Sequence, residues 1–146
     1  QLLASLIQTM WQDNLGFTIE LTNEERALYK DTRDVGDYDM AFGGWLADYM
    51  DPHSMMNIFT QGNIYNYSDY NNEAFNTKML EAETATTSAE HNNALYEAYE
   101  ILMDDMPIIP IYHYADYYLI SDGVEGWTRS ALGLIDFSTA TIETVE

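Results

Sequence analysis

Between Phe17 and Phe42 the apolar residues change period twice, and that change restricts the fold of this 146-residue chain more than any other feature. Phe17, Ile19 and Leu21 alternate with Thr18 and Glu20, the spacing of a strand with one buried face. Thr22-Asn23-Glu24-Glu25 then reads as a capping box, opening a helix that runs to about Val35, where Gly36 stops it. Tyr38 to Phe42 returns to a strand. Strand, helix and strand within about thirty residues make a βαβ unit with parallel strands and a right-handed crossover. The expected class is therefore α/β, with a βαβ unit and a mixed sheet flanked by helices. Leu2, Leu3, Leu6, Ile7, Met10 and Trp11 give the first of those helices its apolar stripe, and Asn14-Leu15-Gly16 ends it.

The stretch Gly43-Gly44-Trp45-Leu46-Ala47-Asp48-Tyr49-Met50-Asp51-Pro52 follows the carboxyl end of the second strand, where ligands bind in open α/β sheets. The two glycines give the backbone φ/ψ values closed to other residues, and Asp51-Pro52 marks a helix start with Asp as N-cap. Trp45 and Asp48 are thus held between two fixed elements, as a recognition loop requires. The plainer alternative makes Asp48 a turn cap and Trp45 a core residue.

Further along, Pro52 to about Phe59 reads as a short helix and Thr60 to Asn71 as a surface loop rich in Asn and Tyr, whose Asn63, Tyr65, Asn66 and Tyr67 could also meet a ligand. Asn72 caps a helix that buries Phe75, Met79 and Ala82. Thr87 with Glu90 forms another capping box, opening the longest helix, with Leu95, Ala98, Tyr99, Leu102, Met103 and Met106 as its buried stripe and Pro107 at its end. Ile108 to Ile120 is β-branched and aromatic, so a strand is expected, with Pro110 confining it to an edge or a bulge. There Tyr112 and Tyr114 share a face and suit a ligand groove, combining contact area with a hydroxyl, although sheet packing explains them too. The tail 123–146 is expected to be irregular. One domain spanning 1–146 is the default for this length.

Twenty-five acids against five bases give a net charge of −20, which repels phosphate backbones and anionic membrane surfaces. Nucleic acid is excluded as a partner, and no run is long enough for membrane insertion. The absence of cysteine rules out disulfides and thiol-ligated metals. His53, His91 and His113 lack a short metal-ligand spacing, and neither a nucleophile triad nor a phosphate-cradling glycine loop is present, so no enzyme, cofactor or metal site is expected. Asp104-Asp105 opposes the macrodipole at a helix C-terminus, which fits either a calcium ligand pair or a solvated one.

Asp31-Thr32-Arg33 before Gly36, the Trp45/Asp48-Tyr49/Asp51-Pro52 set, Asn72-Glu73-Ala74-Phe75 and Asp105-Met106-Pro107-Ile108-Ile109-Pro110-Ile111-Tyr112 together resemble the C-terminal lobe of the extracellular solute-binding proteins of dipeptide and oligopeptide ABC transporters, bacterial solute-binding protein family 5. The resemblance spans nearly the whole chain. It implies a fragment of a type II periplasmic-binding-protein-like lobe, with the N-terminal lobe of the same protein missing. The implied function is to capture peptides between two lobes for delivery to a membrane permease. The implied location is extracellular, as a cell-surface lipoprotein or in the periplasm, anchored through the absent N-terminal part.

By the same resemblance Asp48 holds the peptide's N-terminal amine, Trp45 lines a side-chain pocket and Arg33 lies near the ligand. Arg33 also fits a cation stabilising a helix C-terminus. The position where some oligopeptide binders carry a second Arg is Phe42, and Arg26 stands where some carry a pocket Trp. Relatives of this fold bind nickel complexes, haem or oligosaccharides, or act as peptide-signal receptors, and these are the alternative functions.

Overall fold

The computed structural model describes residues 2–143. The chain divides into two compact units, the first ending at Gly44 and the second beginning at Trp45.

In the first unit, α1 (Leu2–Leu15) keeps Leu3, Ile7 and Trp11 half-buried along the predicted stripe. Helix α2 (Arg26–Asp34) begins at Glu25, whose side chain makes no capping bond, so the box expected at Thr22 does not form. Its C-terminus is tightly made. The Gly36 amide donates to the Arg33 carbonyl and the Asp37 amide to the Thr32 carbonyl, both at 3.1 Å, with Gly36 at φ +74°. This is the double bond of a Schellman stop, in which a glycine takes the left-handed position after the last helical residues.

The two strands of the expected βαβ unit are not laddered. Residues 17–21 and 38–42 lie outside any helix or ladder, with a bend at Asp39, and no strand pairing joins them among the described residues. A strand fulfils its backbone only through a neighbour, whereas a helix does so within itself. Side chains substitute in part: Gln8 donates to the Ile19 carbonyl at 2.7 Å and Gln12 accepts the Ile19 amide at 2.9 Å, so one turn of α1 takes both polar groups of that residue. The Tyr29 hydroxyl likewise donates to the Phe42 carbonyl.

The second unit holds the core. Short helix α3 (His53–Met56) runs into a single 3₁₀ turn, Asn57–Phe59. Helices α4 (Glu73–Thr84) and α5 (Ser88–Asp105) pack as a hairpin, with Phe75, Met79, Ala82, Ala94, Leu95, Ala98 and Leu102 buried against Met56 and Phe59. Both N-termini are capped as the sequence requires. Asn72 accepts from the Ala74 and Phe75 amides, and Thr87 and Glu90 complete a reciprocal box. Lys78 ties the pair together, bonding Glu81 at 2.7 Å on its own helix and Glu97 at 2.8 Å on α5. Tyr99 and Met106 are exposed rather than buried, because the seam of α5 is the narrow row 94, 95, 98 and 102. Met106 itself adopts a left-handed φ of 50° and Pro107 follows, which closes the helix.

Residues 108–120, expected as a strand, are exposed and form no ladder, with a bend at Ile108. The tail, expected to be irregular, instead forms a nested pair of antiparallel ladders. Strand β1 (Val124–Glu125) pairs with β4 (Thr141–Ile142), and inside it β2 (Thr128–Arg129) pairs with β3 (Ile135–Asp136). Gly126 makes this possible. It sits at φ +74°, and a Cβ there would lie 2.4 Å from the Thr139 carbonyl oxygen, a distance no side chain tolerates.

Candidate functional site

The loop after Gly44 is built on Ser54, a buried residue in the first turn of α3. The Trp45 indole Nε1 donates to the Ser54 carbonyl at 3.2 Å, and the Asp48 amide donates to the Ser54 hydroxyl at 2.7 Å. One residue therefore fixes both predicted contacts, and Asp48 keeps its side chain on the exposed surface. Gly43 and Gly44 are not in the left-handed region, so the loop begins without the special φ expected of them.

Asp51 does open α3 as predicted. Its Oδ1 accepts the His53 amide at 2.8 Å and its carbonyl the Ser54 amide at 3.0 Å, with Pro52 already in helical geometry. This is N-cap chemistry at the first orphan donors of a helix.

The rest of the setting was not foreseen. Tyr65 tilts against the Trp45 ring with centroids 4.8 Å apart, and Tyr67 meets Tyr65 edge-on at 6.4 Å. An aromatic row thus extends from the loop into residues 60–71. That segment is ordered by its asparagines: Asn66 donates to the carbonyls of Phe59, Thr60 and Tyr70 and accepts from the Tyr70 amide and the Ser68 hydroxyl. Asn63 donates to the Asn57 carbonyl and accepts the Tyr65 amide. Asn63 and Asn66 are scaffold: Asn63 holds the exposed Tyr65, and Asn66 holds Tyr70, whose ring packs against Phe75.

Asp105 gains a role here as well. Its carboxylate accepts from the Tyr70 hydroxyl and from Asn72 Nδ2, each at 2.7 Å, stapling the Asn/Tyr loop to the end of α5. The Tyr70 hydroxyl, with Asn72 second, holds the Asp105 carboxyl below the usual carboxylate range. Burial first, then that same bond, pushes the Tyr70 phenol upward. Among the described residues no His, Asp and Glu gather in a way that could hold a metal ion.

Two histidines brace α3 against the hairpin. His53 is buried, and its Nε2 meets Glu83 Oε1 at 3.0 Å while its Nδ1 meets the Tyr49 hydroxyl at 2.6 Å. A carboxylate only accepts, so Nε2 carries a proton and the Tyr49 hydroxyl can donate to Nδ1. Burial above all, then the neighbouring carboxylates, raises the Tyr49 phenol and keeps it a donor. His91 reaches the Ala82 carbonyl through Nδ1 at 2.8 Å and Asp51 Oδ2 through Nε2 at 2.9 Å.

The other predicted residues lie apart from this cluster in the chain. Arg33 and Phe42 belong to the first unit; the Arg33 guanidinium lies 5.5 Å from the Tyr29 ring centroid, and Phe42 is exposed with its carbonyl held by Tyr29. Tyr112 and Tyr114, both exposed, form an edge-on pair of their own at 5.3 Å.

Residues 1–67 match the family model described as bacterial extracellular solute-binding proteins, family 5 Middle. The periplasmic murein peptide-binding protein MppA of Escherichia coli K12 is 33% identical over 127 residues, 87% of this chain and 24% of the relative. The periplasmic oligopeptide-binding protein OppA of the same organism is 32% identical over 126 residues, 86% of this chain and 23% of that protein. A Haemophilus influenzae OppA solved in complex with the peptide RPPGFSPFR superposes with a TM-score of 0.77 at 32% identity, covering 85% of this chain and 25% of that one. The chain therefore spans about a quarter of the length of the relatives it matches. Its helices and small sheets are an α/β piece of the periplasmic-binding-protein-like fold, as the sequence led us to expect.

Proposed function

The chain belongs to the bacterial extracellular solute-binding proteins of family 5, and from that premise we propose that it is part of the C-terminal lobe of a peptide receptor serving an ABC transporter. In this reading the whole protein closes two lobes around a peptide by a hinge motion and presents it to a membrane permease. It works outside the cytoplasmic membrane, in the periplasm or as a cell-surface lipoprotein, and no described helix is long and apolar enough to cross a membrane.

The observation that carries the reading is the double attachment of Trp45 and Asp48 to Ser54. A peptide's ammonium needs an acid that closure can desolvate, and a preorganised acid beside an aromatic wall meets that need at low entropic cost. Tyr65 and Tyr67 extend the wall, giving tolerant contact area for side chains. Arg33 and Phe42 of the first unit, and Tyr112 and Tyr114 of the second, are further candidate ligand contacts, each considered within its own unit.

The test is calorimetric titration of the full-length protein with a mixture of short peptides, with the same mixture N-acetylated, and with each again on Asp48→Ala. Loss of binding on acetylation, and a loss of about 2 kcal/mol or more with Asp48→Ala, supports the assignment. Binding indifferent to both removes Asp48 from its role, and no peptide binding at all points to another solute.

A further inference from the structure

The loop that carries Trp45 and Asp48 is only as well placed as α3, and α3 is four residues long. So short a helix has no independent stability; its orientation comes from what it is tied to. Met56 anchors it in the core, and two polar ties set its turn against the hairpin: His53 to Glu83 on α4, and Asp51 to His91 at the start of α5. Asp51 is the junction, because the same carboxylate caps α3 through Oδ1 and receives His91 through Oδ2.

We propose that His91 is a positioning residue for ligand recognition: as an imidazolium bridging the Ala82 carbonyl and Asp51, it locks the Trp45–Asp48 loop in its binding geometry and makes peptide affinity depend on pH. The inference rests on the reading of that loop as the ligand site.

Its basis is donor counting. Both partners of His91 are acceptors only, so both ring nitrogens must carry protons for both bonds to exist. A neutral ring keeps one and turns a lone pair toward either a carbonyl or a carboxylate. The groups around the pair are few. The loop presents Asp51, with Asp48 and Tyr49 beyond it; α3 presents His53; α4 presents the Ala82 carbonyl, with Glu83 turned to His53; on α5 itself Glu90 is engaged by Thr86 and Thr87. The Ala82 carbonyl first, then Asp51, raises the His91 pKa. Burial pushes the Asp51 carboxyl upward, but the His53 amide and then His91 together outweigh it and leave it below the usual range. The raised imidazole and the lowered carboxylate give the sign. The lock is complete below the ordinary histidine range and is lost as pH rises through the raised value.

The experiment measures peptide Kd by calorimetry on the full-length protein and on His91→Gln from pH 5.5 to 8.5, using one free-amine peptide. The peptide's own amine titrates equally against both proteins, so the ratio of the two Kd values isolates His91. Glutamine can hold only one of the two partners and carries no charge. The expected ratio is about two- to fivefold weaker binding by the variant at the acid end, the size of a partly exposed ion pair, falling to one at the alkaline end. Asp51→Asn, measured the same way, should show the same convergence, and it carries the test if His91→Gln does not fold. A ratio of one at every pH, with Asp48→Ala still abolishing binding, overturns the positioning role alone. Wild-type affinity in Asp48→Ala overturns the loop assignment and the inference with it.

Discussion

The α4–α5 hairpin and the segment 108–120 are adjacent in sequence, and the segment is the richer of the two in apolar residues, yet it is the hairpin that buries them. In the hairpin Phe75 is 0% exposed and Ala98 likewise; in the segment Tyr117 is 94% exposed and Leu119 fully so. The difference lies in where each finds its backbone partners. A helix closes its own hydrogen bonds and needs one apolar seam to dock, which α4 and α5 supply to each other. An extended segment needs a flanking strand before its side chains have anything to cover. The same contrast separates α1 and α2 from residues 17–21 and 38–42. Among the described residues the helices are formed, and strand pairing is confined to the ladders of the tail.

Several substitutions would break or sharpen this contrast. The largest effect belongs to Phe75→Ala, which empties the centre of the hairpin and should cost about 3–5 kcal/mol, read as a lowered urea midpoint of the far-ultraviolet helical signal. A midpoint within error of the parent would mean that the seam is not the main source of stability. Gly126→Ala tests the nested strand ladders of the tail. The clash with the Thr139 carbonyl and the positive φ together should cost about 1–3 kcal/mol and melt the nested ladders ahead of the helices, visible as loss of amide exchange protection at 124–142 only. Thr87→Ala removes half of the capping box of α5 and should cost about 1 kcal/mol.

Leu119→Ser should change the stability of this chain by less than about 0.5 kcal/mol, since its side chain touches mainly solvent. In the full-length protein the same change should be costly if 108–120 pairs there with another strand. Equal indifference in both would show that the segment is exposed by design.

Stability against pH sharpens the picture of the braces. Asp51 and Asp105 have carboxyls held low, so their contribution is present above the ordinary carboxylate range and lost as pH falls through the folded values. His91 is held high, so its contribution is full at acid pH and is lost as pH rises through the folded value. Melting temperature should therefore peak between the two. The measurement belongs in high salt, where the repulsion among twenty-five acids is screened.

What the sequence made legible follows the same division. The caps Asn72, Thr87 with Glu90, and Asp51 were readable because their partners lie within three residues. Phe75, Met79, Ala82, Leu95, Ala98 and Leu102 were readable from helical spacing. The strands were misread as laddered because alternation reports a segment's preference and says nothing of whether a neighbour is present. The roles of Ser54 and His91, and the contact of Tyr65 with Trp45, escaped the sequence for a related reason. Ser54 looks like any helix-start serine, Tyr65 meets Trp45 across twenty residues, and His91 meets Asp51 across forty. The Thr22 box failed where the Thr87 box held, although both have the right letters; the working box opens a long helix with a buried seam, and α2 buries no residue fully.

The central claim is that Asp48, held beside Trp45 on Ser54, receives a peptide's amino terminus. A crystal structure of the full-length protein with a bound free-amine peptide tests it most directly. The account predicts the ligand's ammonium about 3 Å from the Asp48 carboxylate, its first side chain against Trp45 and Tyr65, and both bonds to Ser54 intact. An amino terminus seated on another acid, with Asp48 left in solvent, would contradict it.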